Sequence, residues 1–409
     1  MLNKDKQREL AYVVRIDDIR PIEGKDRVEC AVVGGWTIMV RKGQFEPGAS
    51  GIYFEIDSKV PETEPFAFLA AKHYKIKTQK YGHFYSQGLL MSAEDFGWAI
   101  GIEPLGGVRT EVIIDDEGKA HYPDDESRFL TKKLGVIYSI AEDNKRKGRT
   151  PDKYAKMAQR HGKLFAKQPY RWLMKRNWGK KLLFIFFGKK RDARNWPEWV
   201  KKTDEERIEN MAWILNDKEP WIATEKIDGT STTFTMKRGR GLGKDEFYVC
   251  SRNVVFDKPD KQCFYDTNVY TEMATKYNIE AHMKDMLGNH PEWDWVTIQG
   301  ETYGAGIQKN SYDIDEHQFR AFNIVTSDKG RWGTLDMIKF LEFGYEIPCV
   351  PLIDNAYILP NTVEELREYV HSKKSILNNK IREGIVFRKP DGTTSFKCVD
   401  PAYLIKYHS

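Results

Sequence analysis

Short apolar-rich runs crowd the first part of the chain. AYVVRIDDI, RVECAVVG, WTIMVRKG and GIYFEID fall between residues 11 and 57. Pro21, Gly24, Gly34-Gly35, Gly43 and Pro47-Gly48 punctuate them. Short strands at this spacing predict a small β-barrel or sandwich. A basic strand pair is expected within HYKIKTQKYGHFYSQGLLM at 73–91, and the whole reads as an OB-type barrel over residues 1–125. Residues 126–200 change character and read as a basic, partly helical insert. At 203–206, Thr-Asp-Glu-Glu fits a capping box, with Thr203 as N-cap. Ile208, Met211, Ala212 and Leu215 follow at helical spacing, so a helix is expected to open the last domain, residues 201–409. WIATEK, TTFTM, EFYVCS, WVTIQG, FRAFNIV, EGIVFRK and TSFKCV then alternate with helical stretches, which implies a mixed α+β domain.

Length and composition set the limits. A chain of 409 residues suggests two or three domains, and 40% hydrophobic with 13% aromatic residues is enough to build real cores. The longest apolar run, LLFIFF at 182–187, is too short to span a bilayer, and MLNKDKQREL lacks the apolar region of a secretory signal. Five scattered cysteines form no CxxC pair, so neither a zinc ribbon nor a disulfide framework is indicated. The expected setting is a reducing cytoplasm, with the chain working as a monomer.

The net charge of +5 hides an asymmetry. Residues 144–195 hold 18 Lys and Arg against 2 Asp and Glu, a net of +16 that leaves −11 on the rest. Such a block fits either a polyanion partner or a solvated helical surface. Lys75, Lys77 and Lys80 lie close to Tyr74, Tyr81 and Phe84, a mixture that suits a sugar–phosphate backbone and its bases. The alternative for the barrel residues is an ordinary half-exposed sheet face; Lys75, Lys77, Lys145, Arg146, Lys147 and Arg149 are the candidate nucleic-acid-binding residues.

The chemistry centres on Lys226-Ile227-Asp228-Gly229 at a strand end. A lysine whose pKa is lowered by burial or nearby cations becomes a nucleophile. Three fixed positions recur by chance, so the context decides. Ser251-Arg252-Asn253, Gly300-Glu301-Thr302-Tyr303-Gly304, Phe319-Arg320-Ala321-Phe322-Asn323-Ile324, Glu383-Gly384-Ile385-Val386-Phe387 and Ser395-Phe396-Lys397-Cys398-Val399 follow in order. With these strings residues 205–406 resemble the covalent nucleotidyltransferases, the superfamily of ATP-dependent ligases and mRNA capping enzymes. GETYGAGIQKN, FRAFNIV and Glu225 are similar to the RNA ligase 2-type branch. The N-terminal barrel and KKTDEERIEN resemble nick-sealing RNA ligases of the RNA ligase 5 group. Only three residues follow Lys406, which leaves no room for the C-terminal OB domain of DNA ligases and capping enzymes.

The resemblance implies an ATP-grasp-like nucleotidyltransferase domain and an ATP- and Mg²⁺-dependent (or Mn²⁺-dependent) RNA ligase that joins 3′-hydroxyl and 5′-phosphate ends. It implies that Lys226 becomes adenylylated and that Arg252 contacts ribose or phosphate. Asp228, Glu301 and Glu383 would lie near the metal. Phe322 would stack on adenine, with Phe319 on the opposite strand face and in the core. Glu225 would belong to the ATP site. Lys397 would neutralise the α-phosphate and lower the Lys226 pKa by like charge. Where the branch has a KxK pattern this chain has Lys397-Cys398-Val399, so the second lysine is either Lys406 or missing. Gln308 and Lys309 are candidates to touch substrate. The alternatives are DNA-nick sealing, guanylyl transfer, and a non-catalytic nucleic-acid-binding protein on the same fold.

Overall fold

The computed structural model describes residues 8–99, 113–114, 120–121, 128–139, 167–187, 196–241, 243–256 and 268–408. The N-terminal module is built from β1 (Ala11–Arg15), β2 (Asp18–Pro21), β3 (Val28–Val33), β4 (Trp36–Arg41), β5 (Ser50–Phe54), β6 (Ser58–Lys59), β7 (Gln79–Tyr81), β8 (Phe84–Ser86) and β9 (Leu89–Ser92). They pair as antiparallel sheets β1-β5-β9 and β2-β3-β4 and a β7-β8 hairpin. Alternate residues of β1 feed two cores. Tyr12 and Val14 pack with Trp36, Ile38 and Tyr53, while Ala11 and Val13 pack with Ile52, Phe54 and Phe66. A strand buried on both faces reads as a continuous apolar run, as β1 does.

β10 (Ile113–Ile114) and β11 (Ala120–His121) pair antiparallel. β12 (Ile137–Tyr138) then pairs with β6, and Leu130 and Val136 enter the core beneath Phe54. The module thus takes up residues beyond 125. Short apolar stretches there are too brief to show as strands in a sequence.

The basic region contributes α1 (Tyr170–Met174) and α2 (Asn177–Phe187). Lys145, Arg146, Lys147 and Arg149 lie outside the described residues.

The C-terminal domain sandwiches two sheets. It comprises β13 (Glu206–Arg207), β14 (Trp221–Lys226), β15 (Thr230–Lys237), β16 (Glu246–Ser251), β17 (Val255–Phe256), α3 (Val269–Lys276), α4 (Ile279–Asn289), β18 (Trp295–Gly304), β19 (His317–Thr326), β20 (Gly330–Arg331), α5 (Thr334–Ile338), β21 (Leu352–Tyr357), α6 (Val363–Ser372), β22 (Gly384–Arg388), β23 (Ser395–Val399) and α7 (Pro401–His408). One sheet runs β13-β23-β22-β14-β21, the other β17-β16-β15-β18-β19-β20. Helices α3 and α4 cover the outer face of the second sheet with Val269, Met273, Met283 and Met286 against Phe234, Ile298 and Phe319. Helix α6 covers the first, through Leu366 and Val370 on Phe387 and Phe396. Its N-terminus carries a complete capping box, Thr362 with Glu365.

The helix expected after Thr203 does not form. Residues 206–207 add a parallel strand to β23, and 208–210 and 212–216 are short 3₁₀ turns. Ile208, Met211, Ile214 and Leu215 are buried, so their spacing reflects a core and not an α-helix. Asp204 and Glu205 pair with the distant Lys397 and Arg331, and Glu206, which would have closed the capping box, accepts from Arg207 N and Asn210 Nδ2 instead. Within 73–91 the expected strand pair forms as the β7-β8 hairpin, Leu89–Met91 belong to β9 on β5, and Lys75 makes a single bridge to Lys59.

The two halves meet across a polar seam. Trp36 Nε1 donates to Asn210 Oδ1 at 2.7 Å, and Asn210 Nδ2 donates to Glu206 and Glu55 at 2.9 and 3.2 Å. Gly35 N donates to Glu209 O at 2.9 Å, and a Cβ at Gly35 would fall 2.7 Å from the Glu209 Cα. Val399 and Leu404 join the core of the N-terminal module.

Candidate active site

A cavity of about 1350 Å³ opens between the two sheets, with the N-terminal module closing one side through Arg8, Asp57 and Tyr138. Strand β14 ends in it. Ile222 and Ala223 are buried along that strand, and Lys226, its last residue, is the first partly exposed one. Lys226 Nζ lies 2.7 Å from Glu383 Oε2, the residue just before β22. The cross-strand pair Lys226–Gly384 sets this contact.

The next residues turn sharply. A Cβ on Gly229 would fall 2.3 Å from Thr302 O and 3.0 Å from Glu301 Cγ. Glycine closes this motif because β15 and β18 pass too near for any side chain. Gly229→Ala is therefore expected to push the Glu301 strand aside. It should lower the melting temperature and impair the site together, which thermal unfolding and nucleotide labelling would measure side by side.

Three carboxylates surround the lysine. Asp228 is buried. Its Oδ2 accepts from Tyr403 Oη at 2.9 Å and faces His408 Nε2 at 3.2 Å, and its backbone N–H donates to Tyr312 Oη at 3.0 Å. Burial pushes the Glu301 carboxyl up to about 8, aided by Glu383 and Asp228 and opposed by Lys226. Burial also raises Glu383, with Asp228 adding to it. Burial alone would lower Lys226, but Glu383 and Glu301 outweigh it and hold the amine above its ordinary value. The expected lowering of Lys226 by Lys397 is thus not found. Lys397 donates to Asp204 Oδ1 at 2.8 Å, which offsets part of the repulsion between Lys397 and Lys226.

Glu301 carries a pH prediction. Its folded pKa lies above the ordinary 4.5, so between these values the folded chain binds more protons than the unfolded one. Stability from this group is present at low pH and lost as pH rises towards 8. In metal-free buffer, melting temperature should fall more steeply from about pH 5 to about pH 9 in the wild type than in Glu301→Gln. Equal slopes would contradict the assignment.

The donor set is made of hard oxygens, which suit Mg²⁺ or Mn²⁺. Among the described residues no group of three or more His, Cys, Asp or Glu side chains is tight enough to enclose an ion. Asp228, Glu301 and Glu383 therefore do not form a closed metal cage. They fit an ion that keeps most of its water shell, whose charge would relieve the crowding of carboxylates.

Beyond Lys226, Lys397 and Arg252 belong to a charged network whose other members, Asp204, Glu205 and Arg207, left no signal in the sequence. Asp204 bonds Lys397 and Arg252, both at 2.8 Å, and lies 3.5 Å from Arg8. Burial would raise Asp204, but these three cations hold it well below the usual carboxylate range. Glu205 joins Arg331 and Arg388 at 2.8 and 2.9 Å, and Arg388 Nη1 donates to Phe322 O at 2.6 Å. Arg207, beside Lys397 in the parallel register, is buried and lines the cavity. Its Nε and Nη1 have no hydrogen-bond partner among the described residues, and Nη2 is 3.7 Å from Asp57.

Phe322 lines the cavity, and Phe319 is fully buried against Phe234, as strand alternation predicts. A bulge intervenes at Phe322, since Gly300 pairs with Ala321 and Gln299 with Asn323. It shifts the core-facing positions from 319 and 321 to 324. Arg252 lines the cavity and is more than half exposed. Gln308 lines it and donates to Gly229 O at 3.1 Å, whereas Lys309 is exposed and does not. Glu225 borders the cavity, yet its carboxylate accepts from Ser375 Oγ and from Ile376 N at 2.8 Å. Through these bonds it holds the 375–377 loop.

Lys406 is not brought to the cavity. On α7 it is exposed, 4.8 Å from the Tyr407 ring, while Leu404 and His408 on the other face line the cavity. The position two residues after Lys397 faces the cavity as Val399, with Cys398 turned into the core. Lys77 donates to the His408 carbonyl, so it clamps the end of α7 against the N-terminal module.

The comparisons agree with this architecture. An RNA ligase family model matches residues 219–408, and an OB-fold domain model matches 10–93. No curated protein matches the chain. Among solved structures, Naegleria gruberi RNA ligase with PPi is 22% identical, with a TM-score of 0.69 over 98% of this chain and 99% of that one. A variant of that ligase with ATP and Mn gives 22% identity and a TM-score of 0.70, covering 98% of this chain and 100% of that one. Another with AMP and Mn gives 23% and 0.69, over 98% and 99%. No helix among the described residues is long and apolar enough to cross a membrane. Residues 10–93 thus match an OB-fold domain, and residues 219–408, which carry Lys226, match an RNA ligase domain.

Proposed function

We propose that this protein is an ATP-dependent RNA ligase that joins a 3′-hydroxyl to a 5′-phosphate through a lysyl-AMP intermediate on Lys226. One observation carries the reading. Lys226 ends a strand in a cavity between two sheets, with Glu383 at 2.7 Å and Lys397, Arg252 and Phe322 on the same walls, inside an RNA ligase domain. The Naegleria ligase, alike in fold, holds ATP, AMP or PPi in its structures.

In the first step Lys226 Nζ attacks the α-phosphorus of ATP, and pyrophosphate leaves. The amine must first give up a proton, and Glu383 is placed to receive it. A divalent ion near Asp228, Glu301 and Glu383 supplies charge stabilisation when bound. Phe322 stacks on adenine. Lys397, held by Asp204, neutralises the α-phosphate, and Arg207, beside it on the parallel strand, supplies a second cation. In the second step the 5′-phosphate of RNA attacks the lysyl-AMP phosphorus, Lys226 leaves, and an RNA 5′-pyrophosphate cap forms. In the third the 3′-hydroxyl attacks the RNA phosphorus and AMP leaves. Each step is an in-line displacement at phosphorus, so one cavity can serve all three.

We assign residues 1–125, extended by 128–139, to an accessory RNA-binding module, 201–409 to the adenylyltransferase domain, and the stretch between them to a basic insert. Comparing the sealing of an RNA nick and a DNA nick, with ATP or GTP, tests the substrate. Sealing of the DNA nick alone, or labelling from GTP alone, would replace this reading with a DNA ligase or a capping enzyme.

A further inference from the structure

The basic insert contains an exposed aromatic feature that the catalytic reading does not use. Helices α1 and α2 fold back on one another at Gly179, where a Cβ would fall 2.3 Å from Leu173 O. This close crossing brings Trp172 and Trp178 together edge-to-face, with ring centroids 5.9 Å apart. They are 44% and 55% exposed, large values for indoles. The Arg176 guanidinium lies 3.7 Å from the Trp172 ring centroid. Residues 167–187 carry six Lys and Arg and no Asp or Glu.

A soluble surface rarely displays two adjacent tryptophans without a partner. Here the surrounding charge selects the partner. An apolar protein groove would leave this density of cations uncompensated, whereas a polyanion with flat apolar faces satisfies both features. Single-stranded nucleic acid offers phosphates for Lys175, Arg176 and Lys181 and unstacked bases for the indoles. The guanidinium on Trp172 extends the platform, because arginine stacks on rings and bases alike.

We propose that the α1–α2 hairpin is a base-stacking platform that holds a single-stranded segment of RNA through Trp172 and Trp178. The proposal rests on the reading of the protein as an RNA ligase, and its test is separable from that reading.

The experiment measures binding of a short 5′-labelled single-stranded RNA to the full-length protein, without ATP, by fluorescence anisotropy across a salt series. Trp172→Ala/Trp178→Ala is expected to weaken binding at least about tenfold, since stacking contributes roughly 1–3 kcal/mol per base and 1.4 kcal/mol is tenfold. The salt slope should be unchanged, because no phosphate contact is lost. Trp172→Phe/Trp178→Phe keeps a stacking ring and should recover most of the binding. A strand of the same length made of abasic sites should bind the wild type as weakly as RNA binds the alanine variant. Self-adenylylation should be equal in all variants, which separates this platform from the catalytic reading. Unchanged RNA affinity in the alanine variant, or equal loss in the alanine and phenylalanine variants, would overturn the proposal. So would loss of binding to vesicles containing anionic phospholipid with RNA affinity retained, which would make the hairpin a membrane-surface element.

Discussion

Lys226→Ala is expected to lose ATP-dependent sealing of a nicked RNA completely, yet still to seal a strand supplied with its 5′ end already adenylylated. The amine forms and breaks the bond to AMP in the first two displacements and takes no covalent part in the third. A nucleophile that acts as part of a unit typically contributes a factor of about 10³ or more, so the ATP-dependent reaction should fall below detection. The pre-adenylylated strand should be joined at a rate within about tenfold of the wild type, the allowance covering lost positioning. The contrast matters because Lys226 also pairs with Glu383 at 2.7 Å. If its role were only to hold that carboxylate, both reactions would fall together. Lys226→Arg sharpens the comparison. It restores a cation beside Glu383 but cannot serve as a nucleophile near neutral pH, so ATP-dependent sealing should stay absent.

Arg207→Met should lower self-adenylylation by about a hundredfold, the usual effect of removing one preorganised charge donor from a phosphoryl-transfer site. Its melting temperature should stay level or rise. The opposed directions follow from geometry. Arg207 is buried, and among the described residues two of its nitrogens lack a hydrogen-bond partner and its one carboxylate neighbour within salt-bridge reach, Asp57, is 3.7 Å away. A buried cation so poorly compensated costs stability, and replacing it with an apolar side chain of similar length removes that cost. Chains keep such costs where an incoming ligand offsets them, and a triphosphate would do so here. The same residue accounts for Val399. With Arg207 beside Lys397 across the parallel pair, two cations already face the cavity at this level. A fall in melting temperature together with full labelling would show that Arg207 is structural.

Much of this arrangement was legible in the residues. Strands carrying Lys226 and its partners alternate apolar with polar positions or run fully apolar, and most have glycine or proline near their ends, so β14, β18, β19, β22 and β23 emerge from pattern alone. Phe319 and Phe322 sort correctly because an odd separation on a strand divides the faces. The failures share a cause. Thr203-Asp204-Glu205-Glu206 has the composition of a helix start, and nothing local distinguishes a carboxylate that caps a helix from one drawn to Lys397 about 190 residues later. Tertiary cations decided the matter. Lys406 looked available as a second lysine because charge can be counted in a sequence, whereas the face of a terminal helix depends on what it packs against. Leu404 and His408 face inward, so Lys406 faces out. His408 left no signal at all, because its partner Asp228 and the clamp from Lys77 come from distant parts of the chain.

The pairing of Lys77 with α7 also changes the meaning of the basic face expected on the barrel. Lys80 lies 5.4 Å from the Tyr85 ring, and Lys77 is turned to the catalytic domain. At least one of the lysines chosen for RNA binding thus works at the seam between the domains. Its substitution should disturb the setting of Asp228 before it disturbs affinity for RNA.

The most direct test of the central claim is the intact mass of the protein after incubation with ATP and Mg²⁺, followed by mapping of any modified peptide. The account predicts a gain of one AMP, carried on the peptide that contains Lys226, reversed by added pyrophosphate and absent in Lys226→Ala. A protein that gains no AMP, and was not already adenylylated when purified, would contradict it. So would an AMP mapped to any other lysine.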